Sequence, residues 1–287
     1  MRRQRIDRIR TIRYVIHQYP LSPEKSLRIK SVAAGVDVGM PKPGQFGRHT
    51  MTGPADLSAR PGRIGLMADS HDNHAAMKAC INRLRLSHAA RRLIHLGDLF
   101  DSVKHSHLCE MAKTVTRYQI SAVKGNNDFH IQNMLTGGAF INIPDPDKKH
   151  ILSFLEHLPM KIVDQNVCFT HSLPFDSIRS LYEPVDNGAT IRARQVFEQT
   201  PYHLICCGHS HAPILFRWRS GVITREMIPL AEKVFLNPCE RYIIVVGASD
   251  NGECGVVDFH QKTYERICTH SQFAKKYSRA DSNRINR

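Results

Sequence analysis

The sequence lacks several features that define common protein classes. Its 287 residues contain no run of about 18 apolar residues, the length needed to span a bilayer as a helix. Its eight cysteines show no CxxC pair and no regular spacing. The first residues include no apolar signal region. We therefore expect a protein of a reducing compartment, the cytoplasm, with free thiols and no transmembrane segment.

The basic excess of this chain lies at its two ends. The formal net charge is +14, and residues 1–60 carry 12 Lys and Arg against 4 Asp and Glu. Residues 262–287 carry 7 basic against 2 acidic residues, whereas residues 61–261 carry 21 against 20. A nearly neutral middle gives no sign of a nucleic-acid-binding core, so any contact with an anionic surface is expected through the basic ends.

Composition divides the chain into three parts. We expect a basic extension and linker over residues 1–60, a folded domain over residues 61–270 and a basic tail over residues 271–287. Isoleucines at helical spacing among six arginines in "MRRQRIDRIRTIRYVIHQ" predict a basic amphipathic helix. That helix would dock on the protein itself, lie on an anionic membrane or serve as a transit-like segment.

Strand-like and helix-like runs alternate between the two ends. The predicted strands are "RIGLMA", "RRLIHL", "ISAVK", "KIVDQNVCFT", "HLICC", "ERYIIVV", "CGVVDF" and "TYERIC". Helices are predicted over residues 73–85, 106–116, 147–157 and 190–199. Helices separate the early strands, and the late strands follow each other closely. This order favours a parallel-rich sheet joined to an antiparallel one, with helices outside.

Polar side chains follow five of the predicted strands. The strand ends carry carboxylate, amide or imidazole groups, namely Asp69 with His71, Asp98 with Asp101, Asn126 with Asp128, His171, and His209 with His211. Ligands of α/β enzymes bind outside the carboxyl ends of the strands, and glycines allow the tight turns that aim side chains there. The plain alternative is a series of turns, because Asp, Asn and Ser favour them.

Carboxylate, amide and imidazole donors together suit borderline divalent metals, which they bind better than a site of thiolates would. Asp69 and His71 are two residues apart, as are His209 and His211, so each pair can reach one ion. One ion needs about four ligands, and the set contains more. Two ions that share a carboxylate account for the surplus. We expect manganese first, with iron, zinc, nickel, cobalt or magnesium as alternatives.

The ordered motifs "DSH", "GDLFD", "GNND", "TH" and "GHSH" resemble the calcineurin-like metallophosphoesterase superfamily. The resemblance covers about residues 63–268. "DSHDN", "GDLFD" and the final "RYIIVVGAS" and "GVVDF" look most like the small bacterial and archaeal phosphodiesterases of that superfamily. The resemblance implies an α/β fold, a four-layer α/β/β/α sandwich of mixed sheets flanked by helices, with two metals at the strand ends.

The resemblance also implies a role for each residue. The first metal would be held by Asp69, His71, Asp98 and His211, and the second by Asp98, Asn126, His171 and His209. Catalysis is assigned to Asp98 as the bridging ligand, to Asn126 as an uncharged ligand, and to Asp128, which with Asp101 would hold ligands or backbone turns. Two cations about 3.5–4 Å apart lower the pKa of a bridging water and neutralise the phosphate.

The predicted function is hydrolysis of a phosphodiester, in a small molecule or nucleotide, by in-line attack of a metal-bridging hydroxide. Many superfamily members have a histidine after "GN" that protonates the leaving group, whereas Asn127 stands here and cannot act as an acid. This difference favours diesters over monoesters. The alternative is a non-catalytic scaffold or interaction module on the same fold, like the retromer scaffold subunit of this superfamily. The complete set of seven ligands argues against this alternative.

Overall fold

The computed structural model describes residues 62–138 and 143–269. The predicted basic helix, the linker and the basic C-terminal tail lie outside these ranges, so the three-part division of the chain stays a prediction. Among the described residues, no helix combines the length and the apolar character needed to cross a membrane.

The described residues form two six-stranded sheets and five α-helices. The strands are β1 Arg63–Met67, β2 Arg92–His95, β3 Ser121–Ala122, β4 Lys161–Asp164, β5 Val167–Thr170, β6 Leu204–Cys207, β7 Ile214–Arg219, β8 Val222–Met227, β9 Lys233–Phe235, β10 Arg241–Val245, β11 Glu253–Asp258 and β12 Thr263–Cys268. The α-helices are α1 His74–Asn82, α2 Leu108–Arg117, α3 Asn126–Thr136, α4 Asp145–Glu156 and α5 Ile191–Gln199.

Three apolar clusters define four layers. The central cluster joins inward residues of both sheets, such as Leu66 and Phe169. A second cluster packs helices α1 to α4 on the outer face of the first sheet, and a third packs α5 on the outer face of the second. Alternation along β1 shows how one strand serves two layers, because Leu66 faces the other sheet and Met67 faces the helices. The predicted α/β/β/α sandwich is therefore confirmed.

Both sheets are mixed. The first has the order β3-β2-β1-β11-β12-β9, and the second has the order β4-β5-β6-β10-β7-β8. Strands β1, β2 and β3 pair in parallel, as do β5, β6 and β10. In the first sheet the parallel strands lie at one side and the antiparallel strands at the other, whereas in the second sheet antiparallel strands lie on both sides of the parallel ones. The expected separation into one parallel-rich and one antiparallel sheet is wrong, because the closely spaced late strands divide between both sheets. The parallel pairings bring the ends of β1, β2 and β3 to one edge of the first sheet, and those of β5 and β6 to one edge of the second.

Several elements differ from the sequence-based prediction. The run "KIVDQNVCFT" is the hairpin β4–β5, which turns at Gln165 with a φ of 53°. Strands β7, β8 and β9 were not predicted, and neither was α3, whose first residues look like a turn in the sequence. The Asp128 carboxylate starts α3, because it accepts a hydrogen bond from the backbone N–H of Gly125 at 2.9 Å.

Gly255 provides a direct test of the packing between the sheets. A Cβ at this residue would lie 2.3 Å from the hydroxyl oxygen of Tyr264, which is fully buried. We expect Gly255→Ala to lower the free energy of unfolding by about 1–3 kcal/mol, because the Tyr264 ring has no room to move. The control is Gly62→Ala, whose new Cβ would meet the side chain of the exposed His260 at 3.0 Å. Urea unfolding of both variants checks the prediction, and an unchanged Gly255→Ala midpoint contradicts it.

Candidate metal centre

Three electron-pair donors converge where β3, β5 and β6 end. Nε2 of His171 lies 2.8 Å from Oδ1 of Asn126 and 3.1 Å from Nδ1 of His209. The His171 side chain is completely buried, so the protein shields its ring from bulk water. Three of the predicted ligand residues thus meet within hydrogen-bonding distance of each other.

Backbone carbonyls fix the proton positions on both imidazoles. Nδ1 of His171 lies 2.9 Å from the carbonyl oxygen of Leu96, and Nε2 of His209 lies 3.2 Å from that of Tyr182. A carbonyl oxygen only accepts, so each of these nitrogens carries the hydrogen, and in the neutral rings the other nitrogen presents a lone pair. Three acceptors therefore face one another, an arrangement that a cation between them would stabilise.

A second group of donors lies beside the first, at the ends of β1 and β6. Nε2 of His71 and Nε2 of His211 are 3.0 Å apart. Oδ1 of Asp69 lies 3.6 Å from the His211 nitrogen and 4.0 Å from that of His71. This oxygen is buried and has no hydrogen-bond partner among the described residues. A buried carboxylate oxygen without a partner is costly, and a metal ion would satisfy it.

Asp98 connects the two groups. Its Oδ1 lies 3.5 Å from Nε2 of His171. Donor atoms of Asp69, Asp98 and His171 all lie within 4.8 Å of one another, and so do those of Asp69, His71 and His211. The structure thus brings together all seven residues predicted as ligands. Asp69 belongs to both of these donor sets, and the bridging role of Asp98 stays a prediction.

Burial and the close approach of these side chains shift their pKa values. Burial, and next the neighbouring Asp98 carboxylate, raise the pKa of Asp69 well above its usual range. Burial also opposes ionisation of Asp98, but His171 and the hydrogen bonds from Asn127 outweigh it and lower the pKa of that carboxyl. Burial, and next His171, lower the pKa of His209 to about 4, so this ring is neutral at pH 7. Neutral imidazoles and close carboxylates form a donor set suited to divalent cations.

The ligand-bearing turns adopt backbone conformations that non-glycine residues rarely take. Of the thirteen described non-glycine residues with positive φ, six belong to this region, namely Asp69, His71, Asp72, Asp98, His209 and His211. Each left-handed residue costs on the order of 1–3 kcal/mol unless the surroundings enforce it. Their concentration at one edge of the sheets indicates that contacts within the site determine the backbone there.

Asp128 holds two of these turns together. Its Oδ2 accepts hydrogen bonds from the backbone N–H groups of Asp98 and Gly125, each at 2.9 Å, and its Oδ1 accepts one from Phe100 at 3.1 Å. Burial and the Asp98 charge raise the pKa of Asp128 to about 7. Gly125 is needed at this contact, because a Cβ there would lie 2.1 Å from Oδ1 of Asp98. Asp128 therefore positions the loop that carries Asp98.

Asn127 and Asp101 occupy supporting positions. The side-chain nitrogen of Asn127 donates to Oδ2 of Asp98 at 2.6 Å, and its backbone N–H donates to Oδ1 at 2.8 Å. Oδ1 of Asp101 accepts from the backbone N–H groups of Val103 and Lys104, which closes a turn after β2. Asn127 thus supports the carboxylate of Asp98, and Asp101 shapes the neighbouring loop.

Two further features of the site escaped the sequence analysis. The backbone N–H of Asp250 donates to the carbonyl oxygen of Asp69 at 3.1 Å, and the Asp250 carboxylate helps to raise the pKa of Asp69. Asp250 follows β10, so the rule that identified the other strand ends could have found it. The carbonyls of Leu96 and Tyr182 leave no trace in a sequence, because every residue has one.

Comparison with known proteins identifies the family of this chain. The calcineurin-like phosphoesterase superfamily domain matches residues 63–261. A metallophosphoesterase from Sphaerobacter thermophilus is 20% identical over 78% of this chain and 94% of that chain, with a TM-score of 0.57. A protein of Thermus thermophilus is 10% identical over 74% of this chain and 100% of that chain, with a TM-score of 0.44. The first likeness supports the fold. Comparison with curated proteins finds no significant match.

Metal binding should stabilise the fold, because an ion would satisfy donors that face one another. At a manganese concentration of about 100 times the dissociation constant, binding adds roughly 2.7 kcal/mol, or about 5–10 °C in Tm. We expect this shift in metal-stripped wild-type protein and a much smaller one in His171→Ala. The control His157→Ala removes an exposed histidine after α4 and should keep the full shift. Calorimetry checks the prediction, and a wild-type Tm that manganese does not change contradicts it.

Proposed function

Because the chain belongs to the calcineurin-like phosphoesterase superfamily, we propose that it is a divalent-metal-dependent phosphodiesterase. The family supports a phosphoric ester hydrolase, and the donor geometry of this chain supports a pair of ions. The observation that carries the proposal is the convergence of lone pairs from His171, His209 and Asn126 near Oδ1 of Asp69, which has no hydrogen-bond partner in the described part of the chain. A non-catalytic scaffold does not need such a set of facing donors.

The proposed ligands divide between two ions that share Asp98. One ion would contact Asp69, His71 and His211, and the other would contact Asn126, His171 and His209. When bound, two such ions lower the pKa of water to give a nucleophile and neutralise charge on the phosphate. Manganese suits this mixture of imidazole and oxygen donors, and a substrate with an accessible phosphodiester suits the open edge of the sheets where the donors meet.

The residues of this chain prepare the site in three ways. The Leu96 and Tyr182 carbonyls hold the proton on the outer nitrogen of each imidazole, which leaves the inner nitrogen free to bind. Asp128 fixes the loop of Asp98 through three backbone N–H groups. Asn127 donates two hydrogen bonds to Asp98, so the charge of this carboxylate persists in a buried position.

Activity should depend on the metal and most strongly on Asp98. We expect a chelator to abolish hydrolysis of bis(p-nitrophenyl) phosphate and added manganese to restore it. Asp98→Asn should lower kcat by about 100-fold or more, because one neutralised carboxylate weakens the binding of both ions. The matched control Asp145→Asn changes an exposed aspartate at the start of α4 and should keep full activity. Full activity of Asp98→Asn at limiting manganese would exclude a shared carboxylate.

Asn127 should make the enzyme prefer diesters. General acid catalysis contributes about 10²–10⁴ in rate, and an amide that donates to Asp98 and accepts from the backbone N–H of Ser102 cannot supply it. We expect kcat/KM to be about tenfold or more higher for bis(p-nitrophenyl) phosphate than for p-nitrophenyl phosphate. Asn127→Ala should lower both values by a similar factor, because this residue acts through Asp98. A wild-type enzyme that prefers the monoester contradicts the assignment.

A further inference from the structure

The segment between β5 and α5, residues 171–190, is tied to both histidine-bearing turns. The His209 side chain donates from Nε2 to the carbonyl oxygen of Tyr182 at 3.2 Å. The Ser172 hydroxyl, next to His171, donates to the carbonyl oxygen of Glu183. Two consecutive carbonyls are therefore fixed by residues that belong to, or adjoin, the proposed metal ligands.

Other contacts restrict this segment further. The Glu183 carboxylate pairs with Arg192 at 2.8 Å and also with Arg179. Leu181 and Val185 are buried on either side of Tyr182 and Glu183. The main chain at Tyr182 is therefore held by side-chain burial, an ion-pair network and hydrogen bonds to the site. Each constraint limits how far the residue can move.

The Tyr182 side chain nevertheless faces solvent. Tyr182 is 47% exposed. Its carbonyl oxygen lies 3.2 Å from Nε2 of His209, so the ring is attached to a main-chain position in direct contact with a proposed ligand. Ile178 and Ile191 of the same region are 54% and 75% exposed. An aromatic ring is thus presented beside the metal centre on an immobilised main chain.

We propose that Tyr182 is a specificity-determining residue whose ring stacks on a planar aromatic group of the substrate, with a nucleobase as the chemical class. The proposal rests on the proposed phosphodiesterase function. Aromatic stacking on a base is worth about 1–3 kcal/mol and needs no match of hydrogen bonds. A tyrosine with a fixed backbone loses little conformational entropy when it binds, because only two side-chain torsions remain. The ring is the part that recognises substrate, and the hydroxyl is dispensable.

Two substrates with the same leaving group test this inference. One is the p-nitrophenyl ester of thymidine 5′-monophosphate, and the other is ethyl p-nitrophenyl phosphate, which has no base. We expect Tyr182→Ala to lower kcat/KM for the nucleoside ester about 5–20-fold, mainly through KM, and to change the ethyl ester less than about twofold. Tyr182→Phe should behave as wild type. The control Phe235→Ala removes an exposed aromatic ring from the edge strand β9 and should change neither value.

A binding measurement separates failure of this inference from failure of the proposed function. Calorimetry of the manganese-loaded protein should give a Kd for thymidine 5′-monophosphate that rises about 5–20-fold in Tyr182→Ala, with an unchanged Kd for inorganic phosphate. Equal losses for both substrates, or an unchanged nucleotide Kd, overturn the role of Tyr182. If wild type hydrolyses neither diester but the nucleotide Kd still depends on the ring, the proposed function fails and the stacking site stands.

Discussion

The site depends on one electrostatic constraint, the confinement of carboxylates and neutral imidazoles at the edge of two sheets. Asp69 and Asp98 are both buried, and burial, together with the Asp98 carboxylate, disfavours the ionised form of Asp69. Imidazole nitrogens that face each other add further negative potential. Without a positive charge between them these groups oppose the fold, and with one they become a strong set of ligands.

The rest of the domain is arranged to keep these groups together. Parallel pairing brings the strand ends to one edge, and hydrogen bonds from the backbone N–H groups of Ser70 and His71 to the carbonyl of Asp98 join the first two loops. Asp128 then joins the second loop to the start of α3. Burial of apolar side chains in the three clusters offsets the free-energy cost of these strained turns, because most side chains of the strands contact one of the clusters.

The sequence predicted the parts of this structure that follow from local patterns. Strands β1, β2, β6 and β10 are short apolar runs, and Asp69, Asp98 and His209 follow strands directly, so both the runs and the polar ends were visible. Helix α3 was not predicted, because Asn126 and Asn127 favour turns unless Asp128 caps the helix. Strands β8 and β9 were missed because they are edge strands whose exposed side chains hide the alternation that marks a strand. Strand β7 is an inner strand that begins with buried apolar residues, so its apolar run could have predicted it.

The spread of the proposed ligands along the chain has a consequence for biosynthesis. Asp69, His71, Asp98 and Asn126 emerge from the ribosome well before His171, His209 and His211. His71 and His211 belong to the same proposed ion although 140 residues separate them. Because such distant contacts form only after long loops close, metal loading would follow the synthesis and folding of β6. A nascent chain that stops before this strand would hold an incomplete site, so acquisition of the ions would mark the end of folding of the domain.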